Sequence, residues 1–312
     1  MTSLASRLHG IVPPVCTPLT ESYEVDVPSL ERLITFMLDA GVHGIFLLGS
    51  TSEGAILTDE QRETVISVGV RTVAGKVPVL AGVIDTSTER VIAQARVAAK
   101  AGVDGLVVTA PFYIRPGQKE IIAHFRAVRD AIQLPILAYD IPFAVQTKLE
   151  RSTLVRMAEE EIIIGVKDSS GDEANFRGLL LETRRLPNFA SFTGSELMVD
   201  TALALGAKGC VPGMGNVDPA GFVRLYEAAR RGDWEAAKAE QDRLYRLFAI
   251  ISSGSSDRMG FTASAIGSFK TALMLRGVIA TNVMSRPMAR YNEDEVGRVR
   301  QILRETGLLP AA

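Results

Sequence analysis

"DAGVHGIFLLG", residues 39–49, decides the fold once it is set beside "KAGVDGLVVTA" (100–110) and "ALGAKGCVPGM" (204–214). Each stretch closes an Ala/Leu-rich helical run and carries a Gly suited to a left-handed cap. Two or three linking residues then lead into a short apolar strand. A recurring helix–Gly–strand unit is what alternating β and α elements look like in sequence. Eight strand candidates follow in order: "IVPPVC", "GIFLLG", "VPVLAGV", "GLVVTA", "PILAYD", "IIIGVK", "FASFTG" and "GCVPGM". Most are continuous apolar runs rather than alternating ones, as parallel strands covered on both faces require.

The intervening segments read as helices. Leu30, Leu33, Ile34, Met37 and Leu38 keep the spacing of one buried face, and Gly41 follows as a stop. "TDEQ" (Thr58 to Gln61) is a capping box, and "STERVIAQARVAAKAG" runs from a Ser/Thr cap to Gly102. Eight such units predict an α/β fold, a (β/α)8 TIM barrel, over residues 1–218. An open doubly wound sheet is the alternative, and the absence of a GxGxxG after the first strand counts against it. From Pro219 onward three helical patterns succeed one another with no strand candidate between them, which predicts a C-terminal helical extension over 219–312. The Ser/Gly-rich stretch Ser252 to Gly260 is too short to link independent domains.

Bulk composition narrows the function. A length of 312 residues suits one barrel plus an extension. A net charge of −2, with no basic run, leaves no footprint for nucleic acid or an anionic membrane. No stretch has the length of a membrane-spanning segment, and the N-terminus lacks the apolar core of a signal peptide, so a soluble cytoplasmic protein is expected. Cys16 and Cys210 read as core thiols of a reducing compartment. His9, His43 and His124 show no metal-ligand spacing, so no metal site is expected.

Barrel active sites form at the C-terminal ends of the strands. There the sequence places "GSTSEG" (49–54), "APFY" ending at Tyr113, "YDIP" with Tyr139, "GVKDSSGD" with Lys167, "TGSE" (193–196) and "VPGMGN" (211–216). A lysine among apolar strands is disfavoured in its charged form, and a free amine forms a Schiff base with a ketone or 2-oxo acid. The other reading of Lys167 is an ion pair with a carboxylate from a neighbouring strand end. Tyr139 is a proton carrier or a half-buried aromatic with a bonded hydroxyl. "GSTSEG" offers hydroxyls and N–H groups to a carboxylate or phosphate, or is a plain turn. It lacks the lysine of a Walker loop.

Together these blocks resemble the dihydrodipicolinate synthase and N-acetylneuraminate lyase superfamily, the pyruvate-dependent class I aldolases. "GSTSEG" is similar to that family's G-S/T-T-G-E loop, "APFY" to P-F/Y-Y, "YDIP" to Y-N-I/V-P and "GVKDSSGD" to its lysine segment. Order and spacing match, including the 28 residues from Tyr139 to Lys167. The resemblance implies Lys167 as the Schiff-base lysine and Tyr139 as the proton-transferring phenol. It makes Ser50 the relay hydroxyl and Thr51 the residue holding the pyruvate carboxylate. Tyr113 is similar to the relay tyrosine that family members insert into a neighbouring subunit, and Val211 falls where a backbone carbonyl faces pyruvate. It further implies a pyruvate or other 2-oxo-acid substrate, no cofactor, and a homotetramer built as a dimer of dimers.

Departures from the pattern bear on the second substrate. Ser52 stands where the family loop has Gly. Phe143, Ala144 and Val145 fill the stretch where the synthases carry a carboxylate-binding arginine. "KDSSGD" is similar to the segment of 4-hydroxy-2-oxoglutarate and 2-keto-3-deoxy-sugar-acid aldolases. The expected activity is therefore cleavage or formation of a 2-keto-3-deoxy or 4-hydroxy-2-oxo acid, with Ala144, Ser169 and Ser195 on the second-substrate side. Phe143, Glu196 and the 252–261 loop are expected to help. The alternatives are dihydrodipicolinate synthase itself, a dehydratase of deoxy-oxo sugar acids, and a non-catalytic 2-oxo-acid-binding paralogue. Asp59, Arg62 and Phe112 stand at the positions of the family's lysine-feedback site, so lysine inhibition is not expected.

Overall fold

The computed structural model describes residues 4–186 and 188–311. Residues 1 and 312, the outer bounds of the two predicted parts, lie outside the described residues. All eight strand candidates form strands: β1 (Gly10–Ile11), β2 (Ile45–Leu47), β3 (Val79–Gly82), β4 (Gly105–Val108), β5 (Ile136–Asp140), β6 (Gly165–Asp168), β7 (Ala190–Thr193) and β8 (Gly209–Cys210). Every pairing is parallel, in the order β1-β8-β7-β6-β5-β4-β3-β2. Beyond Ile11 the chain swings to β2. Phe46 N–H donates to the Pro13 carbonyl at 3.0 Å, and Val15 N–H donates to the Phe46 carbonyl at 2.8 Å. These two bonds close the cylinder, so the chain is a (β/α)8 barrel. The first strand is shorter than "IVPPVC" suggests because Pro13 and Pro14 have no N–H to donate to a ladder.

Local chemistry explains the helices. Thr58 caps the helix Asp59–Val73 through a complete capping box with Gln61, and Ser87 caps Thr88–Ala101. Gly102 ends the latter at φ 87°, a conformation that penalises any residue with a Cβ. Leu30, Leu33, Ile34 and Met37 of the helix Val27–Asp39 are buried against the barrel, and Leu38 is half-buried.

Helix Pro219–Arg230 packs on β1 and also against Trp234–Phe248. A short turn, Ala249–Ser252, leads to Phe261–Leu275 and then Glu293–Glu305. One continuous apolar core runs from Leu8 and Val12 in the barrel to Phe269, Leu273 and Leu303 in the extension. Phe261–Leu275 is apolar nearly all round, and ten of its residues are buried, as befits a helix enclosed by neighbours. Among the described residues no helix is long and apolar enough to cross a membrane.

Candidate active site

Lys167 is the third residue of β6, paired in register with Tyr139 on β5 and Phe192 on β7. Alternation along the strand turns Lys167 to the barrel interior, where it is 4% exposed. Its Nζ lies 4.1 Å from the centroid of the Tyr139 ring and 5.4 Å from that of Phe46. The two rings meet edge to face at 6.4 Å. Among the described residues no carboxylate forms an ion pair with Lys167 within 4.0 Å. Of the neighbouring strand-end acids, Asp140 is occupied elsewhere and Asp168 through one oxygen, its Oδ2 being buried without a hydrogen-bond partner. Asp140 pairs with Lys148 and accepts from Leu149 N–H at 3.0 Å. Burial raises the Asp140 carboxyl, against the pull of Lys148 and Leu149. Asp168 Oδ1 accepts from Ser170 N–H at 2.8 Å.

The loop after β2 is pinned from several sides. Leu48 and Glu53 take positive φ, and a Cβ on Gly54 would meet the Leu48 carbonyl at 2.2 Å. Glu53 N–H donates to the Ser50 carbonyl at 3.0 Å, and Gly54 N–H to the Gly49 carbonyl at 3.1 Å. Ser52 is fully buried: its Oγ accepts from Gly49 N–H at 3.2 Å, and its carbonyl accepts from Thr17 at 2.8 Å. The hydroxyl gained at this position thus braces the loop from behind. Beneath it the side chains of Glu53 and Lys270, both fully buried, form an ion pair. Glu53 Oε2 also accepts from Ser285 N–H at 2.6 Å, and Lys270 donates to the Val283 carbonyl at 2.8 Å. The loop bearing Ser50 and Thr51 is therefore tied to the C-terminal extension.

In the turn after β8, close beside this loop, Asn216, fully buried, donates to the Pro14 and Gly213 carbonyls at 2.8 and 2.7 Å. Its Oδ1 accepts from Cys16 N–H at 2.8 Å, which fixes the turn after β8. Glu196 Oε1 accepts from Met214 N–H at 2.5 Å. Burial lifts the Glu196 carboxyl to about 7, with the Met214 bond and the charge of Lys167 opposing the rise. Burial likewise pushes the Cys16 thiol up to about 12, and Cys210 well above its usual value, which leaves both inert.

A cavity of about 450 Å³ opens over these residues. It brings together Lys167, Tyr139, Ser50, Thr51, Val211, Ser169 and Ser195 of the predicted set, with Phe143 and Glu196. Two predicted residues lie elsewhere. Ala144 is exposed and outside the lining; its neighbour on the short helix Pro142–Val145, Phe143, takes that place. Tyr113 is 96% exposed with φ 73° and reaches no part of this cavity. Sequence reasoning missed Phe248, Ile251, Thr262, Ile266 and Phe269, which the extension lays over the barrel mouth. The unusually apolar stretch "FTASAIGSFKTALML" (261–275) hinted at Thr262, Ile266 and Phe269, and no sequence signal singled out Phe248 or Ile251.

A closed (β/α)8 barrel with an interior lysine, free of an ion-pair partner among the described residues and beside a phenol at the C-terminal ends of the strands, defines a lyase of the class I aldolase type. The Dihydrodipicolinate synthetase family profile matches residues 7–306. A DapA-like lyase of Halobacterium salinarum is 35% identical over 97% of this chain and 95% of its own length. A 4-hydroxy-tetrahydrodipicolinate synthase of Phenylobacterium zucineum is 34% identical over 83% of this chain and 87% of its own. Among solved structures, YagE of E. coli K12, a dihydrodipicolinic acid synthase family protein crystallised in complex with pyruvate, superposes with a TM-score of 0.91. It shares 27% identity over 97% of this chain and 99% of its own. The chain belongs to the dihydrodipicolinate synthetase family.

Proposed function

We propose that Lys167 forms a Schiff base with the C2 carbonyl of pyruvate or a pyruvate-yielding 2-oxo acid. The observation that carries this is an interior lysine with no carboxylate partner among the described residues, 4.1 Å from the Tyr139 ring. Its amine adds to C2, and loss of water from the carbinolamine gives an iminium that accepts the electron pair of the C3–C4 bond. Tyr139 carries protons through these steps. Ser50 extends the relay, Thr51 holds the substrate carboxylate, and the Val211 carbonyl faces the bound keto acid. The pyruvate complex of YagE supports this choice of substrate. Borohydride reduction in the presence of pyruvate tests it: a stable adduct on the peptide containing Lys167 is expected, and none in Lys167→Ala.

Tyr113 joins the same reading as a residue donated to a neighbouring subunit. A fully exposed aromatic held at φ 73° costs about 1–2 kcal/mol in an isolated chain, and packing into a partner's site offsets that cost. This supports a subunit contact at Tyr113; the assembly proposed with it is a homotetramer, a dimer of dimers, working in the cytoplasm. The names of several relatives favour a second reading, 4-hydroxy-tetrahydrodipicolinate synthase. A coupled assay with aspartate semialdehyde and the reductase that follows decides between them. Against it stands Phe143, at the place of the synthase arginine.

A further inference from the structure

The cavity changes character along its length. At one end Ser50, Thr51, Tyr139 and Lys167 gather hydroxyls and the amine around the space for a keto acid. The apolar part of the lining is Phe143, Phe248, Ile251, Phe261 and Ile266, with Phe269 reaching to Gly213 beside Thr51. Phe143 and Phe261 are each 66% exposed and stand at the mouth, whereas Ile266 and Phe269 are buried and form the deeper wall. Among the described residues of the lining, Lys167 is the one lysine or arginine. The other polar side chains of the lining are Glu196 and the hydroxyls of Ser169, Ser195 and Thr262. A volume of about 450 Å³ is within the range that takes drug-sized ligands, so a large group beyond the keto acid fits.

Three classes of second substrate meet this wall differently. An aldehyde bearing a carboxylate finds no second cation and faces the Glu196 carboxyl, so its charge is desolvated without a partner. A polyol presses several hydroxyls on phenyl and isoleucine surface, each unmade hydrogen bond costing about 1–3 kcal/mol. An alkyl or aryl group gains roughly 25 cal/mol for each Å² it buries there.

We infer that the substrate is a 4-hydroxy-2-oxo acid whose C4 carries an uncharged apolar group, so that the enzyme releases or captures an alkyl or aryl aldehyde. The inference rests on the Schiff-base reading above. In cleavage, the Glu196 carboxylate takes the proton of the C4 hydroxyl. The C3–C4 bond breaks, its electrons pass to the iminium nitrogen as the enamine forms, and the aldehyde leaves. Protonation at C3 and hydrolysis then free pyruvate and regenerate Lys167. Condensation is the reverse. Burial holds the Glu196 carboxyl near neutrality, where it both accepts and returns a proton.

The test is condensation of pyruvate with benzaldehyde, hexanal, glyceraldehyde and aspartate semialdehyde, with products quantified by mass spectrometry, alongside the borohydride trap. Benzaldehyde or hexanal should exceed the other two by at least ~100-fold in kcat/KM. Phe143→Arg should narrow that gap while the pyruvate adduct persists. Glu196→Gln should lower kcat and flatten the pH profile near 7 without abolishing the adduct. A normal adduct with glyceraldehyde or aspartate semialdehyde turned over as well as benzaldehyde overturns the substrate class and leaves the Schiff base standing. Absence of the adduct overturns both.

Discussion

Lys270→Met breaks the buried ion pair that ties the loop after β2 to the C-terminal extension. The side chains of Lys270 and Glu53 have no solvent exposure, and removing the lysine leaves the Glu53 carboxylate with Ser285 N–H as its remaining donor. Breaking one partner of such a pair costs about 3–5 kcal/mol, because an uncompensated charge stays buried. At a few degrees per kcal/mol, the melting temperature should fall on the order of 6–15 °C. Because Glu53 lies two residues from Thr51, kcat/KM for pyruvate-dependent turnover should fall as well. The double variant Glu53→Gln/Lys270→Met removes both charges and should be more stable than Lys270→Met alone, a coupling that a double-mutant cycle in urea reads directly. A Lys270→Met protein within about 1 kcal/mol of wild type, or strict additivity in the cycle, would refute the reasoning.

Three further outcomes are expected. Tyr139→Phe keeps the ring beside Lys167 and should lower kcat by about 10²–10⁴-fold, with the borohydride adduct still formed; turnover within tenfold of wild type removes the phenol from the mechanism. The Glu196 carboxyl, raised from 4.5 to about 7, keeps its proton in the folded chain after the unfolded chain has lost it. Its stabilisation is therefore full below pH 4.5 and lost as pH rises through 7, on the order of 3 kcal/mol, and Glu196→Gln should erase that slope in urea titrations. Tyr113→Ala should reduce turnover and weaken subunit association in sedimentation velocity, whereas unchanged activity and mass would detach Tyr113 from any shared site.

The barrel was legible because its signals are local. Gly102 needs a left-handed backbone, Thr58 and Gln61 cap each other, and buried parallel strands must be apolar throughout. Lys167 and Tyr139 were legible as a pair because a fixed order of strand-end motifs places them on adjacent strands, and the register puts them opposite each other. What escaped was the contribution of distant chain. Nothing about "SFKTAL" (268–273) announces that Lys270 binds Glu53, far earlier in the chain, or that Phe269 lines the cavity over Lys167. A buried lysine reads like a surface lysine until its partner is found. Ala144 and Phe143 show a second limit. They are adjacent, and only the direction of a four-residue helix decides which side chain enters the cavity.

The central claim is covalent catalysis by one lysine, and mass spectrometry of the borohydride-treated protein tests it most directly. With pyruvate present, the account predicts a single added pyruvate-derived group per chain, mapped to Lys167, and none in Lys167→Ala. An unlabelled wild-type protein, or an undiminished adduct in Lys167→Ala, would contradict it.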